Sequence, residues 1–122
     1  QQTRDFIVAH SIQDPEANQL NVVIHYIMNN LAEPLDVELL CKMAFMGRTK
    51  FFSEFKTHIG CSPIVFQQQE RLKAAAKMLA QGKQITETSY DVGFQNTSHF
   101  SKAFKSLFGQ SPRSYKKRSE AH

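Results

Sequence analysis

One phrase occurs twice in this chain. Phe51-x3-Phe55-Lys56-x2-Ile59-Gly60-x-Ser62-Pro63 returns as Phe100-x3-Phe104-Lys105-x2-Phe108-Gly109-x-Ser111-Pro112, with every matched position displaced by 49 residues. A repeat of this period means that one supersecondary unit is used twice. Phe51, Phe55 and Ile59 are four residues apart and stack on one side of a helix, as do Phe100, Phe104 and Phe108. Gly60 and Gly109 stop those helices. Ser62-Pro63 and Ser111-Pro112 then start new ones, serine as N-cap and proline at the first helical position. Two equivalent helices, each with an aromatic face and a polar, lysine-bearing face, suit two equivalent contacts with something long and regular. Duplex DNA is the obvious candidate.

The charge is distributed in the same sense. Residues 1–46 hold two basic groups against six acidic ones, a balance of −4. Residues 47–122 hold thirteen basic groups against five acidic ones, a balance of +8, so the repeat region is the electropositive part. No run approaches the ~20 apolar residues that span a bilayer, and no signal-peptide pattern is present. The chain lacks an initiating Met, which is compatible with a piece of something longer. Cys41 and Cys61 have neither metal nor framework spacing and read as reduced thiols of a cytoplasmic protein.

Nearly every segment reads helical, and none alternates with period two, so the expected fold is all-α with about seven helices. Residues 1–13 read as a tail or joining segment. Asp14-Pro15 opens a first helix whose stripe is Leu20, Val23, Ile24, Ile27, Met28 and Leu31, ended by Pro34. Asp36 caps a short helix with Val37, Leu40, Cys41 and Ala44 inward, and a turn at Met46-Gly47 leads into the first phrase helix, about Arg48 to Ile59. From Pro63 a long helix turns Phe66, Leu72, Ala75, Ala76 and Leu79 inward and stops near Gly82. A short helix follows from Ile85 to about Gly93, with a poor apolar face of Thr88, Ser89 and Val92. The second phrase helix covers roughly Thr97 to Phe108, and a last helix from Pro112 fades into Lys116-Lys117-Arg118.

The repeat also extends upstream, Leu40 to Met46 paralleling Thr88 to Phe94 at an offset of 48. Each copy is thus a short helix, a tight turn and a phrase helix, a helix-turn-helix whose second helix enters the major groove. The expected organisation is a first helix-turn-helix subdomain over 14–62, a linker helix over 63–82, a second subdomain over 83–118 and a tail over 119–122. The nineteen residues from Pro63 to Gln81 span roughly 28 Å as a helix, against ~34 Å between successive major grooves, so the linker helix can set two reading heads on one side of a duplex.

The run Ile85-x6-Val92-Gly93-Phe94-x5-Phe100-Ser101-x2-Phe104-Lys105-x3-Gly109-x-Ser111-Pro112-x2-Tyr115 resembles the DNA-binding domain of the AraC/XylS family of bacterial transcription regulators. Arg71-Leu72-x2-Ala75 and Leu79 are similar to the family's linker helix, and the resemblance covers about residues 16–118. Ser89 departs from the family's usual alanine, and Ala44-Phe45-Met46 from its small-residue, glycine and apolar pattern. The resemblance implies transcriptional activation or repression by a two-headed domain on asymmetric duplex sites. It also implies a separate sensing or dimerising domain and, for an activator, RNA polymerase as a further partner. No cofactor is implied.

Helix geometry sorts the candidate contacts. At 100° per residue from Phe51, the outer face holds Thr49, Lys50, Ser53, Lys56 and Thr57, with Phe52 at the edge. The second copy turns Ser98, His99, Lys102, Lys105 and Ser106 outward. Early residues of a recognition helix reach base edges, which selects Arg48, Thr49, Phe52 and Ser53 in the first unit and Ser98, His99 and Lys102 in the second. Phe52 suits a thymine methyl, and Arg48 or Lys102 suits guanine. Lys50, Lys56 and Lys105 suit phosphates, with Ser62 and Ser111 as backbone anchors at helix starts.

Blander roles compete with these. The phrase aromatics read as core, Phe52 divides between packing and contact, and an outward lysine is ordinarily a solvated charge. Arg71 reads as a structural, helix-tying residue, and Cys41 as buried filler. His58-x2-Cys61 is half a metal site without a second pair, so no metal is expected. No nucleophile elbow or glycine-rich phosphate loop is present, so no enzyme is read. The alternatives are a helical protein-interaction module and a DNA-targeting domain fused to an enzyme.

Overall fold

The computed structural model describes residues 15–120, and these form seven α-helices and no strand. They are α1 (Pro15–Asn29), α2 (Val37–Ala44), α3 (Arg48–Ile59), α4 (Pro63–Ala80), α5 (Ile85–Asp91), α6 (Thr97–Phe108) and α7 (Pro112–Glu120). The segment 1–13 and the Asp14 cap lie outside the described residues. α7 runs on through Ser119 and Glu120, beyond the fading expected at Arg118.

Two compact units emerge. The described part of the first comprises 15–30 and 35–67, and that of the second comprises 31–34 and 68–120, so the chain passes from one to the other inside α4.

In the first unit α1 packs on α2 and α3, and α2 packs on α3. The α1 stripe Leu20, Val23, Ile24 and Ile27 is fully buried, together with Leu40 and Ala44 of α2 and Phe51 and Phe55 of α3. Phe55 lies 5.8 Å from Phe51 and 6.0 Å from Phe66, ring centroid to centroid, at tilted and edge-on angles. Such rings bury large areas and interlock, which seats α3 against the first turn of α4. Asp36 caps α2 through Leu39 N–H at 3.2 Å.

The second unit repeats the plan around Leu72, Ala75, Ala76, Leu79, Val92, Phe94, Phe100 and Phe104. Phe104 is its hub, 5.7 Å from Phe100, 4.5 Å from Phe108 and 5.5 Å from Tyr115 of α7. Thr88 and Ser89 are completely buried in this core. Their hydroxyls donate to the carbonyls of Gln84 and Thr86, each at 2.7 Å, which removes the cost of burying them and lets α5 pack without an apolar face.

The repeated punctuation works as the phrase implies. Gly60 and Gly109 adopt positive φ (99° and 77°) and donate their N–H groups to Lys56 O and Lys105 O, both at 2.8 Å. Ser62 Oγ and Ser111 Oγ accept from Val65 N–H and Ser114 N–H at 3.3 and 3.1 Å, which caps α4 and α7. The two turns differ. Phe45 ends α2 in the left-handed region (φ 56°, ψ 43°), where the second copy has Gly93 at φ 108°.

Three expectations need correction. α1 stops at Asn29, five residues before Pro34, so Leu31 is not part of its stripe. Asn30 Nδ2 donates to Tyr26 O at 2.9 Å, and Arg71 takes up the chain that follows, accepted by Leu31 O and Glu33 O at 2.5 and 3.1 Å. Arg71 also donates to Gly93 O at 3.4 Å, so it ties three backbone carbonyls of the second unit. Cys41 is half-buried rather than buried, because it lines a groove with Glu38, Lys42, Met46, Gly47 and Arg48. Phe108 is also only half-buried, packed at the edge of its core.

Candidate nucleic-acid interface

The interface candidates occupy the faces of α3 and α6 opposite their buried phenylalanines. On α3, Arg48, Thr49, Lys50, Ser53, Lys56 and Thr57 are exposed while Phe51 and Phe55 are completely buried. On α6, Ser98, His99, Lys102, Lys105 and Ser106 are exposed while Phe100 and Phe104 are completely buried. The buried pair one helical turn apart sets the rotation of each helix, and the rotation decides which side chains face out. Phe52 and Ser101 lie half-buried at the edges.

The first face begins with a stacked pair. The Arg48 guanidinium sits 5.5 Å from the Phe52 ring centroid, and Phe52 packs edge-on against Phe51 at 5.7 Å. Phe52 therefore takes the packing role considered for it, edge-on against Phe51, and in addition supports an exposed guanidinium. Gly47 precedes the helix and provides no side-chain cap, so the first turn of α3 presents backbone N–H groups.

The second face starts differently. Asn96 Oδ1 accepts from His99 N–H at 2.7 Å and caps α6. The His99 ring packs edge-on against buried Phe94 at 5.4 Å, which restrains its orientation at the surface. Lys102 and Lys105 have no such support, and their stems can follow a partner's contour.

The lysines are not all equally available. Lys50 Nζ lies 2.8 Å from Glu16 Oε2 of α1. The hydrogen bond to Glu16, then its charge, holds the Lys50 ammonium above its ordinary pKa. Ser62 and Ser111 already spend a lone pair on their caps, leaving the hydroxyl proton to donate.

Sequence reasoning missed three residues that shape these faces. Asn96 had a readable signal, an asparagine directly before a helix and three positions before His99. Phe94 supports His99 only because of how the turn folds, and Glu16 reaches Lys50 across tertiary structure, so neither had a local signal.

Two helix-turn-helix units, each presenting a polar, cationic recognition face over an aromatic core, define a DNA-binding module. The sequence model of the family described as "Helix-turn-helix domain" matches residues 40–118. The chain belongs to the AraC-type helix-turn-helix family, as a DNA-binding domain of transcriptional regulators. A protein called an uncharacterized HTH-type transcriptional regulator of Haemophilus influenzae is 32% identical over 123 residues, covering 92% of this chain and 41% of that protein. Histidine kinase P4 of Formosa agariphila is 32% identical over 110 residues, which make up 88% of this chain and 8% of the kinase. A crystal structure of the DNA-binding domain of AdpA, a global transcriptional factor in complex with a target DNA, superposes with a TM-score of 0.75. It covers 89% of this chain and 96% of that one at 25% identity.

The chain thus spans about two fifths of the length of the regulators it matches first (41% and 42%). The matched family is a DNA-binding one, not a catalytic one. Among the described residues no helix is long and apolar enough to cross a membrane.

Proposed function

We propose that this chain recognises an asymmetric duplex site with two unlike reading heads, α3 and α6, in successive major grooves. The observation that carries the reading is the paired exposure of the α3 and α6 outer faces over equivalent buried phenylalanines. The AdpA domain, of similar fold, was crystallised with a target DNA, which supports the partner.

In this reading Arg48, Thr49, Phe52 and Ser53 address bases in one block, and Ser98, His99 and Lys102 address the other. Arg48 stacked on Phe52 suits a guanine beside a thymine methyl, since a guanidinium donates twice to guanine O6 and N7. Lys50, Lys56 and Lys105 neutralise phosphates, while Ser62 and Ser111 donate hydroxyl protons to backbone oxygens. The subdomain bounds 14–62 and 83–118, with the linker helix over 63–82, belong to the same reading. So do a cytoplasmic site of action, RNA polymerase as a second partner where the protein activates, and a sensing or dimerising function elsewhere in it. The fraction of its relatives that the chain spans supports the last of these.

The test is selection of bound sequences from random duplex DNA, followed by spacer variants of the selected site. Two dissimilar blocks about one helical turn apart are expected, and adding ~5 base pairs between them should abolish tight binding by turning one block to the far side. With ~6 phosphate contacts, affinity should fall about a thousandfold between 50 and 200 mM salt. Binding that ignores the spacer would leave one head unengaged and sink the two-head reading.

A further inference from the structure

We infer that Glu16, Glu54 and His58 form a site for a divalent transition-metal ion of the Zn2+ class, whose occupancy competes with Lys50 for the Glu16 carboxylate. One ligand atom from each of these residues lies within 4.8 Å of the others. Glu54 and His58 are four residues apart on α3 and so share one side of it. α1 brings Glu16 to the same place from the opposite side of the packing. His58 Nε2 stands 3.2 Å from Glu54 Oε1. The contact is a hydrogen-bonded pair, and since metal bonds of ~2.0–2.1 Å at a tetrahedral angle set donor atoms about 3.3 Å apart, an ion can replace the shared proton with little movement of either group. Only the Glu16 carboxylate has to close in, a distance within the reach of a glutamate rotamer.

The surroundings distinguish this trio from a solvated charge cluster. The His58 side chain is 11% exposed and that of Glu54 24%, against 37% for Glu16, so two of the three donors are partly desolvated. An imidazole with two carboxylates selects Zn2+, Co2+, Ni2+ or Cu2+ over the all-oxygen preference of Mg2+ and Ca2+. Three protein ligands leave a fourth position for water. The fold sets His58 beside two glutamates, a grouping that the half-site spacing His58-x2-Cys61 does not show.

The site is coupled to the recognition helix because its outermost ligand already holds a cation there. Glu16 Oε2 bonds Lys50 Nζ at 2.8 Å, and Lys50 lies on the exposed face of α3. An ion that takes Glu16 releases the ammonium and cancels two carboxylate charges beside that face. This second step rests on the phosphate role proposed for Lys50, whereas the metal site stands without it.

The experiment titrates the chain with Co2+, followed by its tetrahedral visible absorption, and with Zn2+ by calorimetry, for the parent, H58Q, E16Q and K50A. Circular dichroism melts establish that each variant is folded, and Glu16, the most exposed of the three ligands, is the substitution least able to disturb packing. One ion per chain is expected, with H58Q and E16Q weakened by about tenfold or more. K50A should bind the ion several-fold more tightly, because the competing ammonium is gone. Equal affinity in parent and E16Q, or in parent and H58Q, marks an adventitious ion and overturns the site. In parallel, saturating Zn2+ should strengthen duplex binding of the parent several-fold, by one more phosphate contact, and leave that of E16Q unchanged. An unaltered duplex affinity of the metal-loaded parent overturns the competition. A chain that binds the ion but no duplex refutes the DNA reading while upholding the site.

Discussion

Replacing Gly93 by alanine should destabilise the second unit more than the same change at Gly109, and the excess should depend on Arg71. Both glycines have positive φ, 108° and 77°, so an alanine at either meets a backbone cost of about 1–2 kcal/mol. The surroundings separate them. A Cβ at Gly109 meets nothing within 4 Å, whereas one at Gly93 stands 2.7 Å from Arg71 Cζ and 2.9 Å from Nε and Nη2. The guanidinium has little room to retreat. It is held by Leu31 O at 2.5 Å, Glu33 O at 3.1 Å and Gly93 O at 3.4 Å.

Bonds from a charged donor contribute ~1.5–3 kcal/mol each, so losing or lengthening one adds that much to the backbone cost. The expected loss is about 3–4 kcal/mol for G93A and ~1–2 kcal/mol for G109A, or roughly 10–20 °C of melting temperature for the former. Gly93, Gly109 and Arg71 belong to the same compact unit, so urea and thermal melts followed by circular dichroism report all three on one transition. In the R71A background the obstacle is absent, and G93A should cost no more than G109A, a coupling of about 2 kcal/mol in the cycle. If G93A melts with G109A in the parent background, or keeps its excess without Arg71, the account of this turn is wrong.

The same turn shows where sequence stopped being informative. The fold's repeated half was readable because its signals are local: phenylalanines at four-residue spacing, a glycine to stop each helix and Ser-Pro starts. Those signals also set the helix rotation, so exposure of Lys50, Lys56, Lys102 and Lys105 followed from the angles. The end of α1 was not readable, since what draws the chain away after Asn29 is a side chain forty positions further on, Arg71 at Leu31 O. Thr88 and Ser89 looked unsuited to a core because apolar patterning ignores hydroxyls that bond their own helix. Asp36 was legible as a cap, whereas the pairing of Lys50 with Glu16 depends on how α1 lies on α3. What the sequence hid is therefore polar contact, long-range at Arg71 and Lys50 and within the helix at Thr88 and Ser89; what it displayed is apolar spacing and helix punctuation.

Phe104→Ala should cost ~3–5 kcal/mol of stability by opening a cavity among Phe100, Phe108 and Tyr115, while any folded fraction keeps the parent's sequence preference. Unaltered melting would mean that α6 does not seat on this ring. Lys102→Ala should relax preference at one block of the selected site by ~1–3 kcal/mol, measured by competition between matched and scrambled duplexes. Lys56→Ala should instead weaken all duplexes alike and lower the salt slope by about one unit; a block-specific loss would make Lys56 a reader. Phe45→Gly should stabilise the first unit. Phe45 occupies the left-handed region at φ 56° and is 84% exposed, so glycine relieves strain of about 1–2 kcal/mol and forfeits almost no burial. Glycine's greater unfolded-state freedom takes back roughly 0.5–1 kcal/mol, leaving a net gain of about 0.5–1 kcal/mol, a few degrees of melting temperature. A lower melting temperature for F45G would mean that the exposed ring stabilises the turn by more than its backbone strain costs.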